Sequence, residues 1–211
     1  PDNAWDLVFD LMFTSKLKSC GMAYLDTPTE MIPVALHYLG KDAYSNDPAD
    51  YKAAADMLAK VRKDVRLFSS TMIDDLAGAR ACAVIGLSGD INIAATRATG
   101  SKGAIEAMLP STGALIFFDT MAITKDAAHP TNAHLFIDFY LRPENAASMA
   151  NDMTYPTGNK AALNLIKPEI ANNKTIFVES EYFAKMIPPS SFTNEARGAI
   201  ANAYNSFKKG K

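Results

Sequence analysis

The stretch Cys82-Ala83-Val84-Ile85-Gly86-Leu87-Ser88-Gly89-Asp90 reads as a short buried strand that passes through a glycine turn and opens a helix. Strand-to-helix junctions of this kind belong to layered α/β proteins, and the flanking sequence repeats the alternation. Thr27-Pro28-Thr29-Glu30 has the form of a capping box with proline at the first helical position. Met31, Val34, Ala35, Tyr38 and Leu39 follow on one face, and Gly40 is the stop. A second helix is expected from Asp47-Pro48, with Tyr51, Ala54, Ala55, Leu58 and Val61 at helical spacing, and a third from about Pro130 to Leu141. Short apolar runs at Trp5–Val8, Ala81–Ile85, Ile105–Leu109 and Ala114–Ile123 read as strands. The sum is α/β rather than a bundle or a sandwich.

Composition narrows the class. The 211 residues are 48% hydrophobic and 21% charged, enough apolar material for one large core or two small ones. The richest apolar stretch, Gly113 to Thr124, is broken by Asp119 and falls short of the roughly 18 residues needed to span a bilayer. A net charge of −2 supplies no positive field for a polyanion, so nucleic acid is not an expected partner. The basic residues are scattered except for Lys208, Lys209 and Lys211. His37, His129 and His134 lack Cys or acid neighbours at metal-ligand spacing, and neither a metal nor a cofactor is expected. The hydrolase elbow, the phosphate-binding loop and the dinucleotide fingerprint do not occur. Two cysteines, Cys20 and Cys82, allow one disulfide or two buried thiols.

The chemistry concentrates in acids. In Ala114-Leu115-Ile116-Phe117-Phe118-Asp119-Thr120-Met121-Ala122-Ile123, a period of two puts Leu115, Phe117, Asp119, Met121 and Ile123 on one face. A carboxylate among apolar neighbours needs a cation, either an Arg or Lys of the protein or a charged ligand. Ring plus carboxylate suits an organic ammonium, through a charge-assisted hydrogen bond and a cation–π contact. Asp90 reads locally as a helix N-cap and Glu30 as half of the capping box. Tyr155 reads locally as a turn aromatic.

Taken together, Lys16-Leu17-Lys18-Ser19-Cys20-Gly21, Tyr38-Leu39-Gly40-Lys41-Asp42, Cys82 to Gly86 with Gly89-Asp90, Phe117-Phe118-Asp119, Leu141-Arg142-Pro143 and Asn159-Lys160-Ala161-Ala162 occur in an order that resembles one family. It is that of the periplasmic putrescine/spermidine-binding proteins of ABC importers, the putrescine-binding branch above all. The resemblance runs from near Trp5 to the terminal Lys-Gly-Lys and covers only the C-terminal part of that family. It implies a two-lobed (type II) periplasmic-binding-protein fold, with one nearly complete lobe in residues 1–108. Residues 109–211 would return into the other lobe and end in C-terminal helices, with a crossing near Leu109-Pro110-Ser111-Thr112-Gly113.

The same resemblance implies a function and its residues. Glu30, Asp90 and Asp119 would hold the two ammonium ends of a diamine, Phe117 and Tyr155 would wall its methylene chain, and Cys20 would pair with Cys82 in an oxidising periplasm. Leu87 stands where the family usually has a ligand-stacking Trp, and Thr27 where it usually has a second acid. Agmatine, cadaverine or a spermidine analogue therefore stand beside putrescine as ligands. The expected partner is a membrane permease, the expected state a monomer, and the expected activity binding without catalysis. The chain starts at Pro1 rather than Met, which fits a removed signal peptide, and the resemblance implies a further N-terminal segment or a separate chain that supplies it. Two other readings remain, a sensor of the same fold serving a signalling receptor and a carboxylate-based glycoside hydrolase.

Overall fold

Three short parallel strands in the order β2-β1-β3 form the sheet on which residues 1–116 are organised. The computed structural model describes residues 1–98 and 104–210; of the basic residues at the C-terminal end, Lys211 lies outside them. The chain begins with α1 (Asp6–Phe9) and α2 (Leu11–Leu17), then β1 (Met22–Leu25), α3 (Pro28–Tyr38) and α4 (Pro48–Val61). Next come β2 (Val65–Ser69), α5 (Met72–Ala77), β3 (Ala83–Val84) and α6 (Ser88–Arg97). After Pro130 the elements are α7 (Pro130–Leu141), α8 (Pro143–Met153), a 3-10 turn at Lys160–Leu165, α9 (Pro168–Ala171), α10 (Ser180–Phe183) and α11 (Asn194–Lys209).

Two compact units result. The first joins Pro1–Ile116 to Glu181–Lys211, and the second is Phe117–Ser180. In the first, Met22, Ala23 and Tyr24 of β1 are fully buried, and the period of two sends Met22 and Tyr24 into one core and Ala23 into another. Met22 and Tyr24 meet Met31, Ile32 and Leu36 of α3, Leu58 and Val61 of α4, and Ile200, Tyr204 and Phe207 of α11. Ala23 meets Met72 of α5 and Ala81 on the opposite face. The phenols inside this core are satisfied by backbone, Tyr24 donating to Val8 O and Tyr204 to Leu25 O. The second unit has a small core of Ala146, Ala147, Ala150, Ala162 and Ile166.

The three expected helices form close to their expected ends, at Pro28–Tyr38, Pro48–Val61 and Pro130–Leu141. The strand expectations fare worse. Trp5–Val8 is helical, because one turn stacks Trp5 on Phe9 at i, i+4, ring centroids 5.8 Å apart, while Val8 and Phe9 enter the core. Ala81–Ile85 shrinks to Ala83–Val84. Ile105–Leu109 forms no regular strand, and Ala114–Ile123 retains only a bridge between Leu115 and Ile187, with no strand among the described residues to extend it. Gly113 ends the preceding turn at φ +100°, where a side chain would collide with the Lys185 carbonyl.

Candidate functional site

The connectivity of the sheet fixes where a crevice opens. After β1 the chain turns into α3 on the main core face, and after β3 it turns into α6, which packs with α5 on the other. Helices that leave adjacent parallel strands toward opposite faces leave a gap at the strands' C-terminal ends, the position where open α/β sheets take ligands. Four of the sequence-predicted residues stand there. Thr27 and Glu30 are the N-cap and third residue at the start of α3, and Leu87 and Asp90 hold the same positions at the start of α6.

Glu30 is the informative member. The capping-box reading requires Thr27 to cap α3 with its hydroxyl, and it does not: Thr27 is extended, at φ −132°, ψ 98°, with no side-chain cap. Among the described residues the half-buried Glu30 carboxylate has neither a hydrogen bond nor an ion pair. The helix N-terminus favours its charge and burial opposes it. Burial prevails, and the Glu30 pKa lies above the ordinary carboxylate range. Its charge is felt at Tyr44, whose phenol is pushed up by burial first and by Glu30 second.

The neighbouring acid behaves differently. Asp26, one residue past β1, is already paired with the Lys208 ammonium of α11 at 2.6 Å. Among the described residues the protein supplies a cation to Asp26 and none to Glu30. Sequence reading passed over Asp26 and Tyr44; the signal available was an acid at a strand's end, directly before the helix N-cap. At the start of α6, Asp90 is not the N-cap, since Leu87 occupies that position with a backbone at φ −76°, ψ 142°. Leu87 is 38% exposed, so an apolar side chain faces solvent at the helix start that carries Asp90.

The remaining predicted residues, Phe117, Asp119 and Tyr155, belong to the second unit. Phe117 is 43% exposed and Asp119 is exposed as well. Leu115 packs against the main core, but beyond it the buried face that period two predicted is not formed: Phe117, Asp119 and Met121 are exposed, with no neighbouring strand among the described residues to cover them. Asp119 has no protein cation beside it among the described residues. Tyr155 is half-buried and follows Thr154, a buried β-branched residue held left-handed at φ 53° at the end of α8. Such a backbone is costly for threonine and fixes the direction in which the chain presents Tyr155. His37 serves a structural contact, its Nε2 lying 3.0 Å from the Thr112 carbonyl oxygen. No helix among the described residues is long and apolar enough to cross a membrane.

Residues 6–178 match the family model for bacterial extracellular solute-binding proteins. The chain is 37% identical over 214 residues to the putrescine-binding periplasmic protein SpuD of Pseudomonas aeruginosa and 35% identical over 215 residues to the putrescine-binding periplasmic protein PotF of Escherichia coli. Each alignment takes in 100% of this chain and 58% of the relative, so the chain spans a little over half the length of these proteins. Among solved structures, a putative spermidine/putrescine ABC transporter protein from Listeria monocytogenes superposes with a TM-score of 0.84 at 25% identity, over 100% of this chain and 62% of that one. The substrate-binding protein PotD from Streptococcus pneumoniae superposes at 0.80 and 22% identity, again over 100% and 62%, and shows the fold.

Proposed function

The chain belongs to the bacterial extracellular solute-binding proteins, and from that premise we propose that it is part of a periplasmic receptor for a diamine or polyamine that delivers its ligand to an ABC importer. The observation that carries the reading is the Glu30 carboxylate, half-buried at the sheet's switch point and without a protein cation among the described residues. A small organic ammonium answers that arrangement, and the names of the relatives support a putrescine-like one. The solved relative from Listeria monocytogenes, named a putative spermidine/putrescine ABC transporter, supports import rather than signalling or glycoside cleavage.

The proposed division of labour assigns Glu30, Asp90 and Asp119 to the ammonium ends. Phe117 and Tyr155 wall the methylene chain. Carboxylates at a fixed separation measure the distance between two ammonium groups, and a mono-amine leaves one of them unpaired. A ligand that engages both lobes only when they are closed favours the closed state, which the permease then reads. Leu87 supplies an apolar surface without the cation–π attraction of an indole, and Thr27 adds no charge, which favours a ligand with two cationic ends over one with three. The receptor is expected to act as a monomer, without turnover.

Calorimetry of the full-length protein against putrescine, cadaverine, agmatine and spermidine tests this. Binding of at least one diamine, lost in Glu30→Gln and Asp119→Asn and strengthened in Leu87→Trp, is the expected outcome. Failure of all four amines to bind, or unchanged binding in Glu30→Gln, refutes it.

A further inference from the structure

The two acid-bearing turns of the first unit depend on how β3 lies against β1, and that pairing is slight. β3 has two residues, in register as Met22↔Ala83 and Ala23↔Val84. Backbone bonds from Cys82 N to Gly21 O (2.9 Å) and from Ile85 N to Ala23 O (3.1 Å) frame those pairs. So short a ladder specifies its register weakly, and each residue of slip displaces a strand by about 3.3 Å. A slip would move Leu87 and Asp90 relative to Thr27 and Glu30 by a large fraction of a diamine's length.

Two links at the N-terminal ends of the strands oppose such a slip. The Cys20–Cys82 disulfide joins the residue two before β1 to the residue immediately before β3. Beside it, Arg66 of β2 reaches across the mouth of β1. Its Nη2 donates to Ser19 O at 2.8 Å and its Nη1 to Arg80 O at 3.0 Å, so one guanidinium holds the loops that enter both β1 and β3. The crossing is possible only because position 21 is glycine: an ideal Cβ there would lie 2.5 Å from Arg66 Cζ and Nε, and the backbone stands at φ +88°. The two links are chemically independent, one covalent and one made of hydrogen bonds from a charged donor, and they join the same pair of loops.

We propose that Arg66 and the Cys20–Cys82 disulfide are positioning residues for the ligand site, a paired staple that sets the β1–β3 register and through it the spacing between the Glu30 and Asp90 turns. The part that concerns ligand rests on the amine-binding reading above. The part that concerns register does not.

The test uses full-length protein as wild type, Arg66→Ala, Cys20→Ser/Cys82→Ser and the triple variant, at a temperature where all remain folded. Where the triple variant does not fold, oxidised Arg66→Ala reduced after folding takes its place. Hydrogen exchange is followed at residues 82–90 and, as the internal control, at 65–69 of β2; putrescine affinity is measured in parallel. Removing either link alone is expected to leave affinity within about threefold, whereas removing both weakens it about tenfold or more, a non-additive coupling. Exchange should rise at 82–90 while 65–69 stay protected. Equal loss of protection in β2 and β3, or full-strength putrescine binding with both links gone, overturns the proposal. If wild type binds no amine, the functional reading fails, and the exchange pattern still decides the register claim.

Discussion

Replacing Gly21 with alanine probes the crowded crossing at the mouth of β1. Two costs arise. An L-residue at φ +88° loses about 1–2 kcal/mol relative to glycine, and the new Cβ, 2.5 Å from the guanidinium, expels Arg66 from its two carbonyl partners at about 1–1.5 kcal/mol for an exposed pair of bonds. The expected total is about 3 kcal/mol in wild type. In an Arg66→Ala background the guanidinium is already gone, so Gly21→Ala should lose only the backbone part, about 1–2 kcal/mol. The double-mutant cycle therefore predicts a coupling of about 1 kcal/mol or more, of the sign that makes the pair less harmful than the sum. Urea unfolding followed by Trp5 fluorescence is the assay, since Trp5 is the sole tryptophan and its indole donates to Gly113 O within the first unit. Additive costs would show that Arg66 does not pass over Gly21, and the reasoning would fail.

Other outcomes follow from the same structure. Cys20→Ser/Cys82→Ser opens a loop with a sequence separation of 62 and should lower unfolding free energy by about 4 kcal/mol, read as a fall in urea midpoint that reducing agent reproduces in wild type. Phe207→Ala removes a ring 2% exposed, with centroids 5.3 Å from Phe68 and 5.7 Å from Tyr24, and should cost about 3–5 kcal/mol by the same assay. Glu30→Gln should stabilise the ligand-free protein at neutral pH while abolishing amine binding. Burial raises the folded-state pKa of Glu30, so its stabilising contribution is present below the unfolded value of about 4.3 and is lost as pH rises through the folded value. The gain from Glu30→Gln must therefore vanish in acid, and a gain that persists there contradicts the assignment.

Helices at Pro28–Tyr38, Pro48–Val61 and Pro130–Leu141 were legible because a period of 3.6, a proline at N1 and a clear stop act within one segment. The strands were not. β1 is buried on both faces and β3 is two residues long, so neither offers alternation to read. Trp5–Val8 shows the ambiguity of a short apolar run, which a neighbouring ring at i+4 resolves into a helix. The acids were visible as residue types, but their standing was not: Glu30 and Asp26 look alike in sequence, and only the approach of Lys208 from a distant part of the chain tells them apart. In Phe117–Asp119 the alternation predicted a half-buried strand, but the segment forms no strand and Phe117, Phe118 and Asp119 are all exposed, because burial is a property of partners and not of the segment.

The first unit is assembled from two segments far apart in the chain, and this governs when it can be finished. Tyr204 and Phe207 of α11 fill the same core as Tyr24 of β1, with the whole second unit intervening. A chain emerging from its N-terminus therefore carries an open apolar sheet face until α11 arrives. Its contacts are long-range, and loop closure must precede the burial that rewards it. Completion is deferred to α11, so the native core of the first unit closes only once that helix has been made.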